Sequence, residues 1–153
     1  MSVLFEEKRD YIGGAGIVAM HMAAAGAEVT FSTVLGDDDL KDFVLDGLAE
    51  ARIACRPIVD SSRPTTNKNA IVAAGYRLLK VDTLDNSSIS DDIVGELTKA
   101  ISTLETDAVV FSDFRHGMFN RRTIPNLVEA IPDNVLRVAD SQVASRGGNI
   151  TEF

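Results

Sequence analysis

The chain has 153 residues, of which 45% are hydrophobic and 25% charged, a composition that suits one folded domain with a real core and excludes extensive disorder. Its net charge of −8, without any cluster of Lys and Arg, argues against nucleic acid binding. The single cysteine, Cys55, excludes an internal disulfide and a cysteine-based metal site. No apolar run approaches the roughly 18 residues of a membrane span, and no signal-peptide pattern opens the chain, so we expect a cytoplasmic protein without a membrane partner.

The first half of the chain predicts alternating strands and helices. Gly26 is a plausible helix stop, and the aspartates that follow Gly36 can cap the next helix. The expected elements are a strand over 3–8, an Ala- and Met-rich helix over 14–25, a buried strand over 28–35, a helix over 40–51 and a short strand over 53–59.

The second half begins with a different pattern. Two extended runs, 66–73 and 76–82, meet at Ala74-Gly75 and predict a hairpin that stands off the main sheet as a flap over about 65–82. The remaining expected elements are a helix capped by Ser90, a buried strand over 107–111, a helix over 121–130 and a strand over 135–139. Helices that alternate with buried strands indicate an α/β fold with a mainly parallel sheet.

A glycine cluster, Gly13-Gly14-Ala-Gly16, precedes the first helix. Glycines at a helix N-terminus let a ligand approach the backbone, and that end of a helix favours anions and hydroxyls. Gly14-x-Gly16-x-x-Ala19 also matches the dinucleotide-binding fingerprint formally, but that fingerprint should follow a hydrophobic strand, and charged residues precede it here. A tight strand–helix junction without a ligand is the plainer alternative.

Four motifs in register make the sequence similar to the PfkB family of sugar kinases. They are Gly13-Gly14-Ala-Gly16-x-Val-Ala, Ala-Ala-x-Gly26-Ala-x-Val-Thr with Val34-x-Gly36-Asp37-Asp38, Arg63-Pro-Thr-Thr-x-Lys68 with Arg77-Leu-Leu-x-Val-Asp82, and Asp107-Ala-Val-Val-Phe-Ser-Asp113-Phe-x-x-Gly117. The last two resemble the heptose 7-phosphate kinase branch in particular. The resemblance runs from about Val3 to Asp140.

The resemblance implies a ribokinase-like, doubly wound fold with a small β-sheet lid, and a sugar or sugar phosphate bound between lid and sheet. It implies that Gly13, Gly14 and Gly16 line the sugar site and that Lys68 and Arg77 on the lid can meet the sugar's phosphate. Ordinary solvated charge on the strands is the alternative for these two cations. Asp113, just beyond a buried strand, lies where open α/β sheets place ligands. Lids of related kinases often clasp one another, so the resemblance also implies a homodimer through the hairpin.

The sequence departs from the family at several points. Ile17 stands where the family has an Asn that binds the sugar, and Arg115-His116 replaces a Gly-Lys or Ala-Lys pair. The tail from Asp140 to Arg146 replaces an Asp-Pro-Lys-type segment. We find no counterpart of the family's first strand, its Asn-x-x-Glu motif or its Gly-Ala-Gly-Asp motif, whose Asp is the general base and whose amides form an anion hole.

We therefore expect residues 1–153 to be the sugar-binding portion of a kinase domain. In the full enzyme, ATP and Mg²⁺ would be the cofactors, and this chain alone would hold no catalytic base, no metal ligands and no phosphoryl-transfer activity. A non-catalytic sugar-binding or dimerisation module remains the main alternative, and a dinucleotide-dependent oxidoreductase a weaker one. His116, in a loop near Asp113, is a candidate general base without a supporting nucleophile, whereas His21 and Cys55 are expected to be packed residues.

Overall fold

Most of the predicted helices and strands are present in the computed structural model, which describes residues 2–142. The elements in chain order are α1 (Gly14–Ala24), β1 (Thr30–Leu35), α2 (Asp39–Glu50), β2 (Ala54–Val59), β3 (Asn67–Ala73), β4 (Tyr76–Thr83), α3 (Asp91–Thr103), β5 (Ala108–Asp113), α4 (Thr123–Glu129) and β6 (Leu136–Ser141). The departures from the family in the tail beyond residue 142 lie outside the described residues.

Side-chain caps fix where two of the helices begin. Asp38 accepts a hydrogen bond from the backbone N–H of Lys41 at 3.2 Å at the start of α2, and Ser90 accepts one from the N–H of Ile93 at 3.3 Å at the start of α3. Each bond satisfies one of the N–H groups that a first helical turn leaves unpaired. Both caps were predicted from the sequence, and they set the direction in which the two helices leave their loops.

The strands outside the hairpin are parallel, as predicted, but they form two pairs. β1 pairs with β2 from Thr30 opposite Ala54 to Leu35 opposite Val59, and β5 pairs with β6 in the same parallel sense. In the described part of the chain no strand joins β1 to β5, so the two pairs do not make one continuous sheet. The α/β architecture is confirmed, and the interruption of its sheet is a feature that the sequence did not reveal.

Helices cover both faces of the first strand pair. On one face, Ala19 of α1 and Leu48 of α2 pack with Ile53 against Phe31 and Cys55. On the other, Ile58 of β2 belongs to a second and larger core with α3, β5 and α4, whose buried members include Ile89, Ile93, Val94, Leu97, Phe111 and Leu127. This arrangement on both faces is the doubly wound plan of open α/β sheets.

The strand predicted over residues 3–8 is wrong. Residues 2–13 form no helix or strand, and Val3, Leu4 and Phe5 are exposed at 55%, 88% and 77%. The cause is the consecutive charges of Glu6 to Asp10, which pair locally instead of alternating with apolar residues, as in the 2.7 Å ion pair between Arg9 and Glu7. A strand needs a neighbour to bond, and none lies beside this segment among the described residues.

The predicted hairpin is present and has a two-residue turn. Both turn residues have positive φ angles, 48° at Ala74 and 79° at Gly75, the conformation that matches the twist of two antiparallel strands. The antiparallel register runs from Asn67 opposite Thr83 to Ala73 opposite Tyr76, with one bulge where Ile71 gives way to Val72. No helix within residues 2–142 combines the length and the apolar character needed to cross a bilayer.

Candidate functional site

The start of α1 meets the loop that follows β5. Gly14 has a φ of 53°, a left-handed conformation that favours glycine, and a methyl group added at its Cα would lie 3.9 Å from the Phe114 ring. At Gly13, which is exposed, no atom of residues 2–142 lies within 4 Å of the corresponding position. Gly13 and Gly14 therefore leave the backbone at this helix N-terminus open to a ligand.

Gly16 has a different environment, although it belongs to the same motif. It is buried, and an added methyl group would lie 2.5 Å from the Ile12 side chain. The same side chain occupies the space beside Gly47 of α2, where the corresponding distance is 2.6 Å. The missing side chain of Gly16 thus lets Ile12 pack between α1 and α2. Unlike Gly13 and Gly14, Gly16 does not lie at the exposed surface.

Asp113 is buried and holds the loop beyond β5 in place through its hydrogen bonds. Its Oδ1 accepts the backbone N–H of Arg115 at 2.8 Å, and its Oδ2 accepts the Ser141 hydroxyl at 2.8 Å. The Arg115 guanidinium lies 3.3 Å from the same carboxylate, and Asp113 is only 3% exposed. Both oxygens are thus engaged with protein groups, which ties β5 to β6 and fixes the direction in which residues 114–116 leave the sheet.

Within residues 2–142, His116 carries the buried side-chain polar atom of this loop that has no hydrogen-bond partner. Its Nδ1 lies 2.9 Å from Oδ1 of Asn86, while its Nε2 is buried and has no hydrogen-bond partner among residues 2–142. Burial lowers the pKa of His116, and the positive charge of Lys68 lowers it further. A neutral ring that donates from Nδ1 to Asn86 leaves Nε2 as an acceptor, ready for a hydroxyl group.

The hairpin turns one charged face toward His116. Opposite residues of an antiparallel pair share a face, so the register places Lys68 with Asp82 and Lys80 with Ala70 on the same side. The charges of Lys68 and Lys80 lower the pKa of His116 and that of Asp82 raises it, so this side of the hairpin belongs to the electrostatic surroundings of the ring. Lys80 also forms a 3.0 Å ion pair with Asp82. Sequence analysis missed Lys80, although its alternation with Asp82 along β4 could have identified it.

Arg77 lies on the same face but far from Lys68. Arg77 is opposite Val72 beside the turn, whereas Lys68 is four residues earlier on β3. At a rise of about 3.3 Å per residue, their Cα atoms are roughly 13 Å apart. The register therefore places Lys68 near Lys80 on one face of the hairpin, and it leaves Arg77 at the tip.

The base of the hairpin is fastened to the Gly36-Asp37-Asp38 turn. The N–H of Gly36 donates to the Thr65 hydroxyl at 2.9 Å, and the N–H of Thr65 donates to Asp38 at 2.8 Å. Although partial burial of Asp38 opposes the effect, the hydrogen bonds from Thr65 and Lys41 lower its pKa below the usual range. The family's Gly-Asp-Asp motif thus has a clear structural use here, which is to hold the first strand of the hairpin in place.

A second set of contacts fastens the loop after β5 to the segment before α3. Gly117 has a φ of 84° and packs directly against the Ser87 carbonyl group, and its own carbonyl accepts the N–H of Ile89 at 3.3 Å. The Asn120 amide donates to the Ser88 hydroxyl at 3.0 Å. These bonds hold Asn86 where it can bond His116, so the position of the His116 ring depends on both loops.

No group of three or more His, Cys, Asp or Glu side chains comes together at metal-binding distance within residues 2–142. The dinucleotide hypothesis also lacks its structural context, because no strand precedes the glycines of α1 in this part of the chain.

Comparison with known proteins identifies the relatives of this chain. The family model for pfkB family carbohydrate kinases matches residues 3–112. The bifunctional protein HldE of Bradyrhizobium diazoefficiens is 31% identical over 133 residues, which are 84% of this chain and 27% of that protein. HldE of Rhodopseudomonas palustris strain HaA2 is 37% identical over 124 residues, 78% of this chain and 25% of that protein. The chain thus spans about a quarter of the length of these curated relatives.

Solved structures show the same fold at lower identity. Phosphofructokinase-2 from Escherichia coli in complex with fructose-6-phosphate superposes with a TM-score of 0.64 at 16% identity and covers 86% of this chain and 43% of that one. Ribokinase from Giardia lamblia gives a TM-score of 0.53 at 17% identity, with 82% and 44% covered. The ribokinase-like fold predicted from the motifs is confirmed, and the chain belongs to the PfkB family of carbohydrate kinases.

Proposed function

We propose that this chain forms the sugar-binding part of a kinase whose acceptor is a sugar phosphate of the heptose 7-phosphate type. Three parts of the chain support the proposal, and we call them the cluster. Gly14, with Gly13, lies beside Phe114 of the loop after β5, and the same loop carries Nε2 of His116, which has no partner within residues 2–142. The charges of Lys68 and Lys80 on one face of the hairpin act on the pKa of that ring.

The two lysines are the groups that favour a phosphorylated ligand. The chain carries a net charge of −8, so attraction for an anion has to come from local cations. Lys68 forms no ion pair within residues 2–142, and Lys80 has only Asp82 as its partner in that part of the chain. A phosphate between the hairpin and the loop after β5 would gain charge-assisted hydrogen bonds from both. Arg77 remains a candidate for a ligand long enough to reach the hairpin tip.

The uncharged sugar ring of the ligand would lie against the N-terminus of α1. Sugar hydroxyls can donate to Nε2 of His116 and accept from backbone N–H groups at the helix N-terminus. Ile17, 37% exposed, replaces the family's Asn at the rim of this region and offers only apolar contact. We therefore propose that His116 takes over part of the hydroxyl recognition that the Asn provides elsewhere, and that the sugar preference differs accordingly.

We further propose that this chain alone does not transfer phosphate. In the family, ATP and Mg²⁺ supply the phosphoryl group and the charge neutralisation, and a Gly-Ala-Gly-Asp motif supplies the base and the anion hole. Asp113, the buried carboxylate nearest to the cluster, is already bonded to Arg115 and Ser141, so it is poorly placed to accept a proton from a substrate. Phosphoryl transfer depends on positioning and on electrostatic stabilisation of the transferred group. The cluster described above would position the acceptor sugar phosphate only.

Two measurements on the purified chain test the proposal. Calorimetric titration with a heptose 7-phosphate and with the unphosphorylated heptose should show preferential binding of the phosphate. A coupled ADP-release assay with the same ligands and Mg-ATP should show no turnover. Equal affinity for the two ligands would contradict the sugar-phosphate assignment, and turnover on the order of 1 per second, as in ordinary kinases, would contradict the predicted inactivity.

The hairpin also has a face that suits a second copy of the chain. Ile71, Leu79 and Val81 lie on the side opposite Lys68, at 43%, 53% and 46% exposure. A two-stranded hairpin is marginally stable alone, and an uncovered apolar side favours association. We propose a homodimer in which two such faces pack together. Sedimentation of the wild type as a monomer over the micromolar range would contradict it.

A further inference from the structure

Asn86 is the partner of the His116 ring, and it lies where the hairpin returns to the rest of the chain. Its Oδ1 is 2.9 Å from Nδ1 of His116, although the two residues are 30 positions apart in the sequence. Asn86 follows the end of β4 at Thr83 and precedes α3, whereas His116 belongs to the loop after β5. The contact therefore joins the outgoing end of the hairpin to the loop that carries the buried Nε2.

Short-range contacts hold both partners in place. The N–H and the hydroxyl of Ser87 donate to the Asp85 carboxylate at 2.7 and 2.8 Å, which closes a tight turn with Asn86 at its centre. Gly117, next to His116, packs directly against the Ser87 carbonyl group. The two loops are thus fixed relative to one another, and the contact between the amide and the imidazole is preorganised.

The contact decides which nitrogen of the ring carries the proton. An amide oxygen can only accept a hydrogen bond, so Nδ1 of His116 has to donate it. If the proton were on Nε2 instead, two acceptors would face each other at 2.9 Å, and a buried N–H would have no acceptor among residues 2–142. The tautomer with the proton on Nδ1 avoids both costs and leaves a lone pair at Nε2.

The surroundings of the ring keep it uncharged at neutral pH. Burial is the largest influence and lowers the pKa of this histidine. Lys68 and Lys80 on the hairpin lower the pKa as well, whereas Asp82 on the hairpin and Asp113 at the end of β5 raise it. The carboxylate of Asp113 is itself paired with Arg115 at 3.3 Å, which weakens its pull on a proton of the ring.

We propose that Asn86 is a positioning residue that fixes the His116 ring with its proton on Nδ1, so that Nε2 takes a hydroxyl group and rejects a phosphate or carboxylate oxygen. A hydroxyl can donate to the Nε2 lone pair, but an anionic oxygen has no proton to give and would be repelled by it. Specificity comes from such repulsion as well as from attraction. A phosphorylated sugar would thus bind in one orientation, with a hydroxyl at His116 and its phosphate near Lys68 and Lys80. This orientation rests on the function proposed above.

NMR of the isotope-labelled chain without ligand tests the role of Asn86. At neutral pH we expect His116 to show a protonated Nδ1 and an unprotonated Nε2, with the exposed His21 as internal reference and His116→Gln to assign the signals. Asn86→Ala removes the acceptor and should give a mixture of the two tautomers. Asn86→Asp places a carboxylate beside Nδ1 and should raise the proton affinity of the ring roughly tenfold.

Asn126→Asp is the matched control. It makes the same chemical change at an exposed position of α4, and it should leave the tautomer and the titration of His116 unchanged. Asn86 is exposed too, and Asp has the same size, so both variants should give the circular dichroism spectrum of the wild type. A merely structural role for Asn86 would change the melting temperature and leave the tautomer as it is.

Calorimetry with the unphosphorylated heptose then tests what Nε2 binds. If a sugar hydroxyl donates to the neutral ring, the affinity of the wild type should fall roughly three- to tenfold as the pH drops through the titration of His116, the factor that one lost hydrogen bond gives. His116→Gln has no such titration, so its affinity for heptose should stay constant over the same pH range.

The outcomes separate this inference from the proposed function. An Nε2 that carries the proton in the ligand-free wild type, or a tautomer that Asn86→Ala leaves unchanged, would overturn the inference whether or not any sugar binds. Heptose affinity that rises as the ring is protonated would overturn the hydroxyl assignment. A ring in the expected state without heptose binding would contradict the proposed function and the orientation of the ligand, while the role of Asn86 in setting the ring would stand.

Discussion

Gly36 has no room for a side chain, because it faces the backbone of residues 63–65. A methyl group added there would lie 2.5 Å from the backbone nitrogen of Thr65, 2.6 Å from the carbonyl oxygen of Arg63 and 2.8 Å from the carbonyl carbon of Pro64. All three atoms are backbone, so no side-chain rotation can relieve the contact. Gly36→Ala must therefore push the 63–65 segment away and lengthen the 2.9 Å hydrogen bond from Gly36 to the Thr65 hydroxyl.

The expected loss of stability follows from these two effects. Overpacking in a well-packed site costs about 1–3 kcal/mol, and losing a buried hydrogen bond costs about 1 kcal/mol more. The sum is roughly 2–4 kcal/mol, which lowers the melting temperature of a chain of this size by roughly 4–16 °C. Urea unfolding followed by circular dichroism measures the change in the free energy of unfolding.

Gly95→Ala is the matched control. Gly95 is exposed in the middle of α3, and no atom in the described part of the chain lies within 4 Å of the position its methyl group would take. Alanine there should raise the stability by about 0.5–1 kcal/mol, because it is the better helix former. If Gly36→Ala remained within about 0.5 kcal/mol of the wild type while Gly95→Ala behaved as expected, the close approach of residues 36 and 63–65 would be refuted.

Further predictions concern the second loop, pH and assembly. Gly117→Ala should destabilise the chain by about 1–3 kcal/mol in urea unfolding, because φ is positive there and the Ser87 carbonyl fills the space. Because the pKa of Asp38 is lower in the folded chain than its unfolded value of 3.8, the carboxylate stabilises the fold above pH 3.8. This contribution is lost as the pH falls below 3.8, so Asp38→Asn should lose less stability on acidification than the wild type. The pKa of His116 is lowered in the folded chain, so the unfolded chain takes up a proton first as the pH falls below 6.5. The melting temperature of the wild type should therefore decline below that pH, whereas that of His116→Gln should not. Leu79→Lys should shift sedimentation from dimer to monomer without changing the melting temperature of the monomer, because Leu79 is half-exposed on the hairpin.

The elements that could be predicted from the sequence are those with strong local signals. The helix caps of Asp38 and Ser90 bond backbone groups three residues away, and the hairpin needs only two apolar runs and the Ala74-Gly75 turn. The failure at residues 3–8 has the opposite cause. Three apolar residues resemble the start of a strand, but a strand exists only if another strand bonds it, and that information is not local.

Sequence analysis named candidate site residues, but it could not predict how they are arranged. The motif suggested that Gly13, Gly14 and Gly16 act alike, but the spacing of residues on α1 cannot show that Ile12 fills the space beside Gly16. Lys68 and Arg77 both lie on the predicted hairpin, but their separation depends on the register and on the bulge after Ile71. Long-range pairing sets both features, so they are visible only in the folded chain.

The role of Asp113 shows a similar limit. Its place after a buried strand made it a candidate for ligand contact. Its actual partners, Ser141 on β6 and the backbone of Arg115, depend on how β5 and β6 pair and how the loop turns. His116, weighed in sequence analysis only as an unsupported general base, is in the structure the loop residue whose ring nitrogen is buried and unpartnered within residues 2–142.

The most direct test of the proposed function is calorimetry of one double variant with two ligands. Lys68→Ala/Lys80→Ala removes the charges that the hairpin directs toward His116, and Arg56→Ala/Lys99→Ala removes the same net charge from exposed positions on β2 and α3. Because both lysines are exposed, each contact should contribute about 0.5–1 kcal/mol, which together lowers the affinity for a heptose 7-phosphate roughly five- to thirtyfold. The account predicts that loss for the hairpin variant alone, with binding of the unphosphorylated heptose unchanged. An equal loss in both double variants, or equal affinity of the wild type for the two ligands, would contradict it.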